Sequence, residues 1–137
     1  MKSLLAKLTP KDFVVFGGAT IAIAIGVAIT LNRPNTASAN CSTYGQDVPV
    51  ILANDEFKPS VISAHQCDRI VLINQDTQPY RIEIGEYTNH VAYPGYYADT
   101  IPAGSGLSFV AHKAGGYKLH DHLRGKATAQ LQISARD

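Results

Sequence analysis

The stretch Gly115-Gly116-Tyr117-Lys118-Leu119-His120-Asp121-His122-Leu123-Arg124-Gly125-Lys126-Ala127, followed by Thr128–Ser134, decides how this chain is read. Its glycines open a strand expected over Gly116–His120, and Thr128–Ser134 alternates as a second strand. In extended chain, residues two apart share a face, so His120 and His122 project to one side while Tyr117 and Leu119 turn towards a core. Two imidazoles on one face at a strand end are the beginning of a copper or zinc site. A solvated pair at the mouth of a hairpin is the competing reading, and the short motif alone does not choose between them.

Working outward, the preceding sequence holds further short runs rich in Val, Ile and aromatics, near Val48–Ala53, Ser60–Ala64, Arg69–Asn74, Tyr80–Ile84 and Gly106–Ala111. Lys58-Pro59, Gln78-Pro79, Pro94-Gly95, Pro102-Ala103-Gly104 and Gly115-Gly116 break the chain between them. Seven such strands with turn signals at this spacing predict an all-β Greek-key sandwich over residues 47–137. The longest irregular stretch, Gly85–Ile101, contains His90 and the tyrosines Tyr87, Tyr93, Tyr96 and Tyr97. A loop of that length in a compact domain is more often functional than idle.

Upstream, Phe13–Leu31 is an uncharged apolar run, long enough as a helix (roughly 28 Å) to cross a bilayer. Three lysines precede it and Arg33 follows, which places residues 1–12 in the cytoplasm and everything beyond the run outside. Residues 13–31 are thus expected as one N-terminal transmembrane helix or signal anchor, and 32–46, rich in Asn, Thr, Ser and Pro, as a tether. The rival reading is a cleaved leader, since Ala37-Ser38-Ala39 has the form of a peptidase site. Either way the domain is exported. Residues 1–39 carry Lys2, Lys7, Lys11 and Arg33 against Asp12; the remainder has eight basic and ten acidic side chains. That weakly acidic body has no basic stripe to meet a phosphate backbone, so nucleic acid is not expected as a partner. Both cysteines, Cys41 and Cys67, fall in the exported part, where an even count favours a disulfide over two free thiols.

Several segments in order resemble a cupredoxin. Phe57-Lys58-Pro59-Ser60-Val61-Ile62 and Arg69-Ile70-Val71-Leu72-Ile73-Asn74-Gln75-Asp76 are similar to its opening strands. Ile101-Pro102-Ala103-Gly104-Ser105-Gly106-Leu107-Ser108-Phe109 and the Gly115–Ala127 stretch are similar to its final strands and loop. The likeness covers residues 48–134 and is nearest to bacterial membrane-anchored cupredoxins with a His-Asp-His motif before the last strand. The resemblance implies one copper ion held by loop ligands: His90 in Thr88-Asn89-His90-Val91-Ala92-Tyr93-Pro94, together with His120 and His122. At the position where a further histidine is expected, counting on from Asn74-Gln75-Asp76, stands Tyr80, a candidate fourth ligand. Asp121 occupies the place of the blue-copper thiolate, and the only methionine is Met1. A His₂Cys blue site is therefore not expected; an all-nitrogen or nitrogen-and-oxygen Cu(II) site fits the residues better. Asp121 is read either as orienting an imidazole from behind or as a turn residue bonding backbone N–H groups. His65 and His112 are expected to be solvated turn residues.

No nucleophile elbow, Walker loop, dinucleotide fingerprint or His-Glu-x-x-His segment occurs. The expected function is a membrane-tethered, extracytoplasmic copper-binding domain, in copper handling or slow electron transfer to an envelope partner, and not an enzyme. A copper oxidase or reductase subunit would need a second copper centre supplied by another chain. The runner-up is a metal-free interaction module of the same fold in the cell envelope.

Overall fold

A computed structural model describes residues 37–137. The expected cytoplasmic N-terminus, the apolar run Phe13–Leu31 and residues 32–36 of the tether lie outside the described residues. Among the described residues no helix is long and apolar enough to cross a membrane. They form ten strands: β1 (Asp47–Ala53), β2 (Glu56–Lys58), β3 (Val61–His65), β4 (Arg69–Asn74), β5 (Tyr80–Glu86), β6 (Asn89–His90), β7 (Thr100–Ile101), β8 (Gly106–Val110), β9 (Gly115–Asp121) and β10 (Thr128–Ser134). The seven expected strands are all present, and β2, β6 and β7 are short additions.

The strands divide into two sheets. One has the order β2-β1-β4-β8 and the other β3-β10-β9-β5-β6, with β7 also pairing β5. Both are mixed: β1 runs parallel to β4 and β10 parallel to β3, while the remaining pairs are antiparallel. Period-two burial sets the faces. Alternate residues of β10 are buried, as are Ile70, Leu72 and Asn74 of β4 and Tyr80, Ile82 and Ile84 of β5. Val50, Leu52, Ile62, Ile70, Leu72, Ile82, Leu119 and Leu131 meet in one apolar core with no exposed surface. Each such side chain contributes roughly 1.5–3 kcal/mol through burial, which is what holds the sheets together. Between β1 and β2 the chain reverses in two residues, Asn54 and Asp55, both at positive φ (54° and 59°). Asn and Asp tolerate that backbone because their short side chains bond locally.

Cys41 and Cys67 form the expected disulfide, with Cα atoms 5.2 Å apart. Just beyond Cys67, the buried Asp68 carboxylate accepts N–H bonds from Gln46 (3.0 Å) and His65 (2.8 Å) and faces Arg136. Burial alone would raise its pKa, but these donors and the guanidinium hold it below the usual carboxylate value. Gln46 and residues 37–41 are thus fastened to the domain, although they fall in the segment read from sequence as a tether.

Candidate metal centre

β5 and β9 pair so that Glu83 stands opposite His120 and Ile84 opposite Leu119. Ile84 and Leu119 face the core, so Glu83 and His120 share the outer face of the larger sheet. β6 brings His90 alongside, paired with Gly85. Gly85 has φ +106°, and a Cβ there would come 2.6 Å from Asn89 O. Only glycine lets β6 lie this close to β5. His122 lies in the turn just after β9, where its N–H donates to Arg81 O at 2.7 Å. The three imidazoles thus converge from β6, the end of β9 and the turn that follows it. One ligand atom from each of His90, His120 and His122 can be chosen so that all lie within 4.8 Å of one another.

Their hydrogen bonds leave donor atoms for a metal. His120 is 2 % exposed, and its Nδ1 lies 3.0 Å from Gly85 O. A carbonyl only accepts, so that nitrogen carries the hydrogen and Nε2 presents a lone pair. His120 Nε2 is buried and has no protein partner, and the same holds for His122 Nδ1. Two orphaned ring nitrogens side by side are costly in a domain that holds nothing between them. Three neutral imidazoles suit copper, zinc or nickel, with copper favoured on affinity order. The residues present therefore fit the ion that the resemblance implies. Glu83 Oε2 stands 3.9 Å from His90 Nδ1, and the other carboxylate oxygen, Oε1, accepts from Arg81 Nε at 3.1 Å.

Tyr87, one of the four tyrosines of the long loop, packs against the cluster. Its ring stacks on His122 (centroids 4.9 Å, planes 22° apart) and lies 5.4 Å from that of His120. The signals for these extra parts were slight: a glycine inside a strand pattern for Gly85, and an aromatic residue at a hairpin turn for Tyr87. Of the other loop tyrosines, Tyr93 is buried and its hydroxyl, pushed up to about 12 by burial, bonds both main-chain groups of Lys113. Tyr96 donates to Ile82 O at 2.6 Å, its pKa also raised by burial, and Tyr97 is left exposed.

Tyr80 is not brought to the imidazoles. It stands on the core side of β5, fully buried, and its hydroxyl donates to Asp76 Oδ2 (2.8 Å) and accepts from the Asp55 N–H (3.1 Å). The Arg124 guanidinium lies 4.3 Å over its ring. Burial first, then the bond to Asp76, raises its pKa, which disfavours a phenolate. Asp121 also turns inward. Its carboxylate accepts the N–H groups of Arg81 (3.1 Å) and Leu123 (3.2 Å) and pairs with Arg124 Nε at 3.1 Å. Of its two sequence readings, the structure takes the turn-forming one: Asp121 shapes the loop that carries His122, bonding main chain and Arg124. The residues occupying the expected histidine and thiolate positions are thus joined by Arg124, which also reaches Asp55 at 3.3 Å. The imidazole cluster lies on the other side of β5 and β9.

Comparison with protein-family models and with curated proteins found no match. Solved structures do match. A reduced amicyanin variant is 13 % identical with a TM-score of 0.55, covering 64 % of this chain and 82 % of its own. A purple cupredoxin from Nitrosopumilus maritimus is 14 % identical with a TM-score of 0.56, covering 64 % of this chain and 100 % of its own. A second amicyanin variant is 13 % identical with a TM-score of 0.56, covering 71 % of this chain and 90 % of its own. At this identity the likeness is one of fold. With its two sheets, their strand order and these structural neighbours, the described part of the chain has a cupredoxin-like fold.

Proposed function

We propose that this chain binds one copper ion through His90, His120 and His122 and serves as a membrane-tethered, extracytoplasmic domain for copper handling or slow electron transfer. The observation that carries this reading is the pair of buried, partnerless nitrogens, His120 Nε2 and His122 Nδ1, beside His90. A copper ion there supplies a one-electron couple. The chain's own residues hold the imidazoles: Gly85 O fixes the His120 tautomer, Tyr87 stacks on His122, and Asp121 shapes the turn beneath it. The expected tether would keep the domain at the membrane, and the partner would be an envelope redox or copper-handling protein. Nothing in the residue set calls for an enzyme.

Titration of the full chain with Cu(II), followed by electron paramagnetic resonance and optical absorption, tests this. One tight equivalent with wide hyperfine splitting and nitrogen couplings is expected, lost in the His120→Ala/His122→Ala double variant while the fold persists. Wild-type affinity in that variant refutes the ligand set. Tyr80 and Asp121, locked by Asp76 and Arg124 where ligands were expected, favour the metal-free interaction module as second reading. Absence of copper binding by the wild type would leave that module as the function.

A further inference from the structure

Ala37-Ser38-Ala39, the motif that reads as a peptidase site, takes no part in the metal centre. Its three residues are fastened into the domain. Ser38 makes an antiparallel bridge to Lys113. Ala39 donates its N–H to His112 O at 2.7 Å, and its own carbonyl lies 3.2 Å from His112 Nδ1. Gln66, 5 % exposed, donates from Nε2 to Ala37 O (2.9 Å) and to His112 O (3.1 Å), and its Oε1 accepts the Arg136 N–H at 3.3 Å. Two residues further on, Cys41 is bonded to Cys67, the neighbour of Gln66. His112, expected to be solvated, is therefore one jaw of this arrangement and Gln66 the other.

The geometry points to residues 37–39 being a permanent clasp of the mature domain and not the scissile end of a removable leader. In the folded domain, a peptidase that takes its substrate as an added strand would need main-chain N–H and C=O groups that are free. Here both groups of Ala39 and the carbonyl of Ala37 are engaged. Cutting after Ala39 would withdraw an acceptor from a buried amide and both of Ala39's groups from His112. A mature form beginning at Asn40 would leave the buried Gln66 Nε2 with His112 O as its one remaining acceptor among the described residues. The clasp adjoins the start of β9, and His120 lies five residues along that strand, roughly 17 Å away. The clasp thus lies at the opposite end of β9 from His120. This inference does not depend on metal binding.

The test uses the full chain expressed in a host with an export pathway and purified in mild detergent. Intact mass and N-terminal sequencing of the disulfide-bonded protein should give an N-terminus upstream of Ala37; any N-terminus from Ala37 to Asn40 overturns the proposal. On the same protein, hydrogen exchange should show the Ala39 amide protected at least about tenfold over an unstructured chain. In Gln66→Ala that protection should fall by about tenfold, the equivalent of one hydrogen bond, while β4 and β10 amides are unchanged. An unprotected Ala39 amide in the wild type, or one indifferent to Gln66→Ala, refutes the clasp.

Discussion

Replacing His120 with Phe separates what this residue does for the fold from what it does for a metal. In the metal-free domain the buried, partnerless Nε2 costs about 1–3 kcal/mol. Phe keeps a ring against Tyr87 and His90, whose centroids lie 5.4 and 5.3 Å away, and removes that nitrogen. It also deprives Gly85 O of its donor, about 1 kcal/mol in the other direction. The metal-free variant should therefore be as stable as the wild type or up to about 2 kcal/mol more so. With Cu(II) the two diverge. At free metal 100-fold above Kd, an ion bound only by the native state adds about 2.7 kcal/mol. In a domain of this size 1 kcal/mol moves Tm by about 4–8 °C, so the wild type should gain about 10–20 °C. His120→Phe should gain almost nothing. Scanning calorimetry of both proteins with and without Cu(II) reads all four values. A wild-type shift in His120→Phe would show that the ligand set is wrong. A loss above about 3 kcal/mol without metal would show that the orphan nitrogen carries no penalty.

Four further outcomes are expected. Tyr80→Phe should cost about 1–2 kcal/mol in urea unfolding, through the lost bonds to Asp76 and the Asp55 N–H, and leave Cu(II) affinity unchanged; lost binding would mean that Tyr80 is a ligand after all. Tyr87→Ala should weaken Cu(II) binding by up to about tenfold and alter the nitrogen couplings, whereas Tyr87→Phe, which keeps the stack on His122, should do neither. Cys41→Ser/Cys67→Ser opens a disulfide with a sequence separation of 26, which the chain-entropy relation values at about 3.5 kcal/mol, readable as a fall in the urea midpoint with a slope equal to or steeper than the wild type's because the unfolded chain is less compact. Asp68 has a lowered native pKa, so its contribution is complete above about pH 4 and is lost as pH falls through the native value. Asp68→Asn should be less stable at neutral pH and show a shallower loss of stability below pH 4; an unchanged acid limb would remove Asp68 from the account.

The domain was legible in the sequence to an unusual depth because period-two burial writes itself into composition. Strands β1, β3, β4, β5, β8, β9 and β10 follow from alternating Val, Ile and Leu bounded by Gly and Pro, with shifts of one or two residues at their ends. An even pair of cysteines, Cys41 and Cys67, was enough to propose their disulfide. The short strands β2, β6 and β7 were not legible, since two or three residues carry no period and owe their pairing to neighbours already in place. For the metal centre, strand alternation singled out His120 and His122 and the resemblance to cupredoxins added His90, and only the packing shows that their ring nitrogens meet.

What chain order by itself determined here is local: which residues alternate, where the chain must turn, and that His120 and His122 share one face at a strand end. Which side of a sheet a side chain faces depends on strand register, and register is a property of two strands at once. That is why Tyr80, read in one dimension as a ligand, and Asp121, read as orienting an imidazole or shaping a turn, face the core and meet Arg124, while Glu83 and Tyr87 join the imidazoles. It is also why Ala37-Ser38-Ala39 reads as a cleavage site in the sequence and as a held segment in the fold. The residues that hold it, Gln66 and His112, are distant along the chain and become its neighbours only when the sheets close.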